Sequence, residues 1–329
     1  MMINDCLDLA LVCHPVLAFL TIQRSKMHAQ PSKWQYFLFS FFLILAVRYA
    51  SSTAIETPVA DGVLCQSQDS PNPIASIYPN NATGTLNGTI AVLPISLKLA
   101  RQLIPAKYKI MEHAYRDLLP KFPKDMYPAF MQAVHDHDVQ ASGFKIPDFS
   151  RAGIEFPFLD LLGDNSTSFK WAPSLLMTAT NAIALKGAAD YGTNVYPATF
   201  KPECDAYAAS SIPGITTFSS KSVAVGNASF AIQFAKMNEE VYPLSYFKNV
   251  TNQPMFADGK TCDNMIRLFN TSVTTSPNRI DQVIGSVQAN IAPLKGVMSW
   301  NGVYGLRLDT AFVENNYLPC ESLRGYGTG

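Results

Sequence analysis

The chain has 329 residues, 48% of them hydrophobic and 15% charged, which suffices for one large or two ordinary domains with a sizeable core. Lysine plus arginine and aspartate plus glutamate balance at 25 each. That balance excludes a basic nucleic-acid footprint and a polybasic membrane patch, so nucleic acid is not an expected partner.

Residues 1–54 read as an address segment rather than as part of a fold. Tyr36–Val47 (YFLFSFFLILAV) has the length of a signal-peptide core, with Lys33 before it and the small residues Ala50, Ser51, Ser52, Thr53 and Ala54 after it. Met27 would be a more ordinary start than Met1, since residues 1–26 form an unusual upstream extension that is itself apolar over Leu7–Ile22. Two outcomes stay open: a cleaved signal with secretion, or a retained anchor through residues 36–47, short against the roughly 20 residues of a bilayer span.

Six sites fit the Asn-X-Ser/Thr acceptor pattern, at Asn81, Asn87, Asn165, Asn227, Asn249 and Asn270, and suggest a glycoprotein. Cys6 and Cys13 fall in the leader. Cys65, Cys204, Cys262 and Cys320 remain, spread along the chain without CxxC spacing. In an oxidising compartment these form two disulfides, with three pairings open; in a cytosolic protein they would be buried thiols.

In chain order, residues 55–88 are rich in Pro, Asn, Ser and Asp and suit an exposed N-terminal arm. Order then begins near Thr89 and continues to the end, 89–329. Ile90–Pro94 reads as a strand, and Ser96 caps a short helix over Leu97–Leu103 that stops before Pro105. Tyr108–Met126 carries no clear period. Ala129–Val134 reads as a strand running into His135, Asp136, His137 and Asp138. Ile154–Leu162 is another apolar run, broken by Pro157.

Leu175–Leu185 is a long apolar segment leading through a Gly187–Gly192 bend into an extended Val195-Tyr196-Pro197. Gly214–Phe218, Ser222–Val225, Ser229–Ala235, Met265–Val273 and Val283–Ile291 read as further short strands between Gly, Ser and Asn turns. Short strands at near-regular spacing with few long helical patterns predict a mainly β (α+β) chain whose antiparallel sheet closes or nearly closes.

Three segments carry a family resemblance. Ala182-Ile183-Ala184-Leu185 followed by the glycine bend and Tyr196-Pro197 resembles the central segment of the acetoacetate decarboxylase family. The stretch from Leu93 to Pro105 is similar to that family's early segment, and Trp300-Asn301-Gly302 through Leu308 to its W-x-G-x-x-x-L-x-L strand, with Cys262 where the family has a cysteine-containing strand. The resemblance spans roughly Thr89 to Gly329. It implies a closed antiparallel β-barrel with a few short helices, and Tyr196 and Trp300 beside the substrate pocket. Fungal relatives are linked to polyketide toxin pathways, which implies a decarboxylase of a β-keto acid, with a keto acid or polyketide-like molecule as ligand, no cofactor, and a homo-oligomeric assembly.

That chemistry needs a lysine amine, neutral at working pH, to form an imine with the ketone. The family places a lysine pair after Tyr-Pro; here Ala198 and Thr199 stand there. The nearest amines are Lys186 and Lys201, and Glu155, in an apolar GIEFPF context, is the candidate proton donor, with pairing to Arg151 as its structural alternative. With no amine in the pocket, the fold would serve as an inactive secreted small-molecule-binding module; another imine-dependent lyase, an aldolase or dehydratase, would need the same lysine. His135 and His137 make only half a metal site, and no metal is expected. The sequence contains no G-x-S-x-G elbow, no H-E-x-x-H and no P-loop, and Gly325–Gly329 ends the chain with no helix behind it.

Overall fold

The computed structural model describes residue 65 and residues 71–223, 226–275 and 279–327. The leader, with both candidate starts and the 36–47 run, and most of the arm before Asn72 lie outside them. So do residues 224–225, the end of one predicted strand.

The described residues are mostly β-sheet with a few short helices. The first strand, β1 (Ala82–Ser96), begins within the predicted arm, because residues 83–86 are buried between two neighbours. Helix α1 (Leu97–Leu103) follows as expected: Ser96 accepts a bond from the Leu99 amide, and the helix closes at Ile104 before Pro105. After β2 (Lys109–Ile110), the stretch without a clear period forms α2 (Glu112–Leu118). Tyr115 of α2 packs edge-on against Tyr127 and Phe122.

Next come β3 (Met126–Ala141), β4 (Phe144–Ile146), β5 (Phe149–Asp160), β6 (Ser168–Trp171) and β7 (Ser174–Thr178). Pro157 does not break β5. The strand bulges there, with its register against β6 shifting between Phe156 and Leu159, and Phe158 takes a φ of 60°. The freed backbone groups find partners: Tyr127 donates to the Pro157 carbonyl, the Phe158 amide donates to Gln253 Oε1 at 2.9 Å, and the Met111 amide donates to the Phe158 carbonyl.

The apolar run after Trp171 divides in two. Its first part is β7; its second is α3 (Ala182–Ala189), capped by Asn181 Oδ1 on the Ala184 amide. The chain returns as β8 (Asn194–Lys201), parallel to β7. Then follow β9 (Ala208–Ala209), β10 (Ile215–Ser222) and β11 (Ser229–Met237), so Ser222 closes a strand instead of opening one. The last elements are α4 (Leu244–Asn252), β12 (Met255–Phe256), β13 (Thr261–Leu268), β14 (Asp281–Asn290) and β15 (Met298–Pro319). Val273 lies past the end of β13, in a turn.

The strands join in the order β13-β12-β6-β5-β7-β8-β10-β11-β14-β15-β1-β3-β4, and the extra β3–β5 and β13–β15 pairings bring that path back on itself. The expected purely antiparallel sheet is corrected at two places: β7–β8 and β6–β12 run parallel. A parallel pair needs a crossover, and α3 supplies it between β7 and β8. Cys65 is bonded to Cys204 and Cys262 to Cys320, which selects one of the three pairings and ties β13 to the 3-10 turn after β15. Among the described residues no helix is long and apolar enough to cross a membrane.

Candidate functional site

A cavity of about 650 Å³ opens between β3, β5, β6, β7, β13, β15 and α3. Strand alternation decides what lines it. Along β3, Phe130, Gln132 and Asp136 face inward; along β5, Arg151 and Glu155; along β13, Asp263, Met265 and Arg267. His135 and His137 take the opposite face of β3, where they bond to Ser150 at 2.9 Å and to Thr85 at 2.8 Å. They therefore contribute nothing to the cavity.

The strand Ser168–Trp171 supplies the amine. Phe169 and Trp171 face the core, against Phe256 and Phe156, and the residue between them points the other way, into the cavity. That residue is Lys170, 8% exposed. Its Nζ donates to the Thr251 carbonyl in the last turn of α4 at 3.0 Å and lies 3.4 Å from Glu155 Oε2. Burial pushes the amine below the ordinary lysine range; the Glu155 carboxylate pulls it up, and the Arg267 and Arg151 guanidiniums push it down again, leaving it lowered.

Glu155 is 3% exposed and also accepts from Gln132 Nε2. It does not pair with Arg151. That guanidinium closes on Asp136, Nε to Oδ2 at 2.8 Å and Nη2 to Oδ1 at 3.2 Å. Arg267 is placed by its backbone: its amide donates to Asn252 Oδ1 at 2.8 Å, and Asn252 Nδ2 donates to its carbonyl. Burial and the neighbouring Arg151 bring its guanidinium down to about 10. Burial, with the Glu314 carboxylate beside it, holds the Asp263 carboxyl well above the usual carboxylate range.

Of the catalytic and pocket residues expected from sequence, the structure brings only Glu155 deep into this cavity. Lys186 stands at the mouth on α3, with its side chain 74% exposed, paired with Asp190, which holds its amine protonated, the reverse of what a nucleophile needs. Lys201 is exposed at the end of β8, opposite Ser219 of β10 and away from the cavity. Tyr196 sits beside Leu176, the residue of β7 that faces away from the cavity while Leu175 and Met177 face in, and its hydroxyl accepts from Asn194. Trp300 lines a shallow groove on the face of β10, β11, β14 and β15.

The residue that sequence reasoning missed is Lys170. A lysine between Phe169 and Trp171 in a strand is the available signal, since two aromatics on one face force the amine onto the other. Nothing in a single strand tells whether that other face meets water or a cavity.

Among the acceptor sites, Asn165, Asn227 and Asn270 are exposed, whereas Asn87 is half-buried in β1 between His135 and Asp309.

No protein-family model matches the chain, and no curated protein is similar to it. Among solved structures it is similar to the enduracididine biosynthesis enzyme MppR with HEPES buffer bound, at 9% identity and a TM-score of 0.39, over 73% of this chain and 86% of that one. A likeness at that score carries nothing about the chemistry of this chain.

Proposed function

We propose that the cavity is the active site of an imine-forming lyase that decarboxylates a β-keto acid, with Lys170 as the nucleophile. The observation that supports this is the buried Lys170 amine, lowered by burial and by two guanidiniums, set 3.4 Å from a buried carboxylate. Lys186 and Lys201, the candidates from sequence, give way to Lys170 because neither amine is inside.

In the neutral form Lys170 Nζ attacks the ketone carbon; the carbinolamine takes up one proton from solvent and loses water, forming an iminium. The bond to the carboxylate carbon then breaks, carbon dioxide leaves, and the electron pair moves into the enamine with the iminium as its sink. Glu155, in its protonated form, delivers a proton to the enamine carbon. Water hydrolyses the resulting iminium, releasing the methyl ketone, and the proton left on the amine returns to Glu155, restoring both groups. Gln132 and Lys170 hold the Glu155 carboxyl from two sides, which fixes where its proton goes.

The two disulfides support folding in an oxidising compartment, in keeping with a secretory leader.

The test is borohydride reduction of the full chain incubated with acetoacetate and with a longer 3-keto acid, read by peptide mass spectrometry. A stable adduct on the peptide containing Lys170, with carbon dioxide released, is the expected result. Neither adduct nor carbon dioxide with either acid would overturn the lyase and leave an inactive binding module.

A further inference from the structure

Two features of the cavity go beyond its lysine. The first is Arg267. It is 4% exposed, its guanidinium lines the cavity, and among the described residues that guanidinium makes no hydrogen bond and no ion pair. The other two interior cations are matched, Arg151 by Asp136 and Lys170 by Glu155. Stripping a guanidinium of water without giving it an acceptor is costly, and the open side of Arg267 is the cavity itself.

The second is a polarity gradient along the β3–β5 wall. The register sets Glu155 against Phe130 and Gln132 against Gly153 at one end, Asp136 against Phe149 further on, and Val139 against Ile146 at the other end. From Gln132 to Val139 the strand rises by about 20 Å. The charged end adjoins Lys170; further along the wall Val139, Ile146 and Phe149 line an apolar stretch below α3, and Arg267 stands between the two, beside Phe312, its partner across β13 and β15. Gly84 lets Phe312 and Val139 pack closely over β1, since a Cβ there would lie 2.9 Å from the Phe312 ring and 3.0 Å from Val139. Above the apolar stretch, α3 forms the roof with Ala182 and an Ile183 that is 58% exposed, and Asn181 Nδ2 ties the roof to the Pro147 carbonyl at 2.6 Å.

We infer that the ligand is an amphipathic carboxylic acid, a 3-oxo acid with an extended apolar tail, whose carboxylate is taken by Arg267 and whose tail lies along Phe149, Val139 and Ile146 toward α3. This rests on the lyase reading only for the 3-oxo group; carboxylate and tail follow from the cavity alone. A four-carbon oxo acid would meet the charged end and leave the apolar end empty. An apolar tail fills that end and gains affinity with each methylene it buries.

The test uses saturated carboxylates from butanoate to dodecanoate, which cannot form an imine, titrated calorimetrically into the full chain. Their methyl esters serve as controls. Affinity is expected to rise roughly three- to fourfold per methylene over the middle of the series. The esters are expected to bind at least tenfold more weakly. Ile146→Trp, which narrows the apolar end, should weaken decanoate at least tenfold and butanoate far less, a split that a general loss of folding cannot produce. Arg267→Gln should weaken every acid about equally and keep the slope with length.

Affinity independent of chain length, or esters that bind as well as acids, overturns the proposal, and both readouts use the unmodified protein. Borohydride trapping with acetoacetate is scored separately. An adduct there without any length dependence leaves the lysine chemistry and removes this ligand class; length dependence without an adduct does the reverse.

Discussion

Lys170 Nζ and Glu155 Oε2 face each other at 3.4 Å inside the cavity, each almost wholly removed from water. Fifteen residues separate them in sequence; β5 and β6 bring them together, with Lys170 opposite the Pro157 bulge and Glu155 just before it. An amine in that position feels opposing influences, a carboxylate that favours its proton and burial that disfavours it, and burial is the larger.

Replacing the amine tests its role directly. Lys170→Met should abolish the borohydride adduct and lower keto-acid turnover by at least about 10³-fold, as expected for loss of a covalent nucleophile. Lys170→Arg keeps a cation in place and should be equally inactive, because a guanidinium stays protonated. Peptide mapping and carbon dioxide release measure both.

The two charges beside Lys170 should move its pH profile in opposite directions. The Arg267 cation depresses the amine, so Arg267→Gln raises its pKa and shifts the rising limb of adduct formation to higher pH. The Glu155 carboxylate supports the ammonium, so Glu155→Gln shifts the limb to lower pH. Product formation in Glu155→Gln should still fall by about 10²–10⁴-fold, since proton delivery is lost. Rates of trapping and of product release, each followed against pH, separate the two effects.

The Arg151–Asp136 pair is structural. Both groups are buried, and Asp136→Ala strands a guanidinium in the interior, at a cost of about 3–5 kcal/mol. A lowered denaturant midpoint with an unchanged slope is the expected measurement. An unchanged midpoint would show that the cavity is wet enough to solvate Arg151.

Asp263 makes stability depend on pH. Its folded pKa is raised above the unfolded value of 3.8, so below that value both states hold the proton and nothing is lost. As pH rises past 3.8 the unfolded chain ionises while the folded chain stays protonated, so the unfolded state binds fewer protons and stability falls. Asp263→Asn removes this dependence. The variant should be more stable than the parent at pH 7 and about equal to it below pH 3.8, read from urea unfolding at both values.

The Cys262–Cys320 bond holds the start of β13, and with it Asp263, against the turn after β15. It closes 58 residues, and the Cys65–Cys204 bond closes 139. Removing either should cost about 2–5 kcal/mol. Cys262→Ala with Cys320→Ala should also weaken carboxylate binding, because Cys262 directly precedes Asp263 of the cavity lining. Thermal melts and the same calorimetric titrations measure the two effects.

The elements that depend on local chemistry were legible in the chain: the Ser96 cap and its helix, the β-rich pattern of Gly- and Asn-bounded runs, the strand running into His135, Asp136 and His137, and Glu155 as a carboxyl in apolar surroundings. Backbone preference and side-chain periodicity act over a few residues, so they can be read from neighbours in sequence. What Glu155 faces, which amine is buried, and which cysteines join depend on strand partners far apart in the chain. Lys186, the amine nearest the Tyr-Pro segment, ends on an exposed helix because β7 needs a crossover to reach its parallel neighbour. Lys170, between two aromatics in a four-residue strand, becomes the interior amine because β5, β12 and β13 close around its free face. A lysine's environment is set by the surfaces that exclude water from it, and those surfaces exist only once the sheet has folded back on itself.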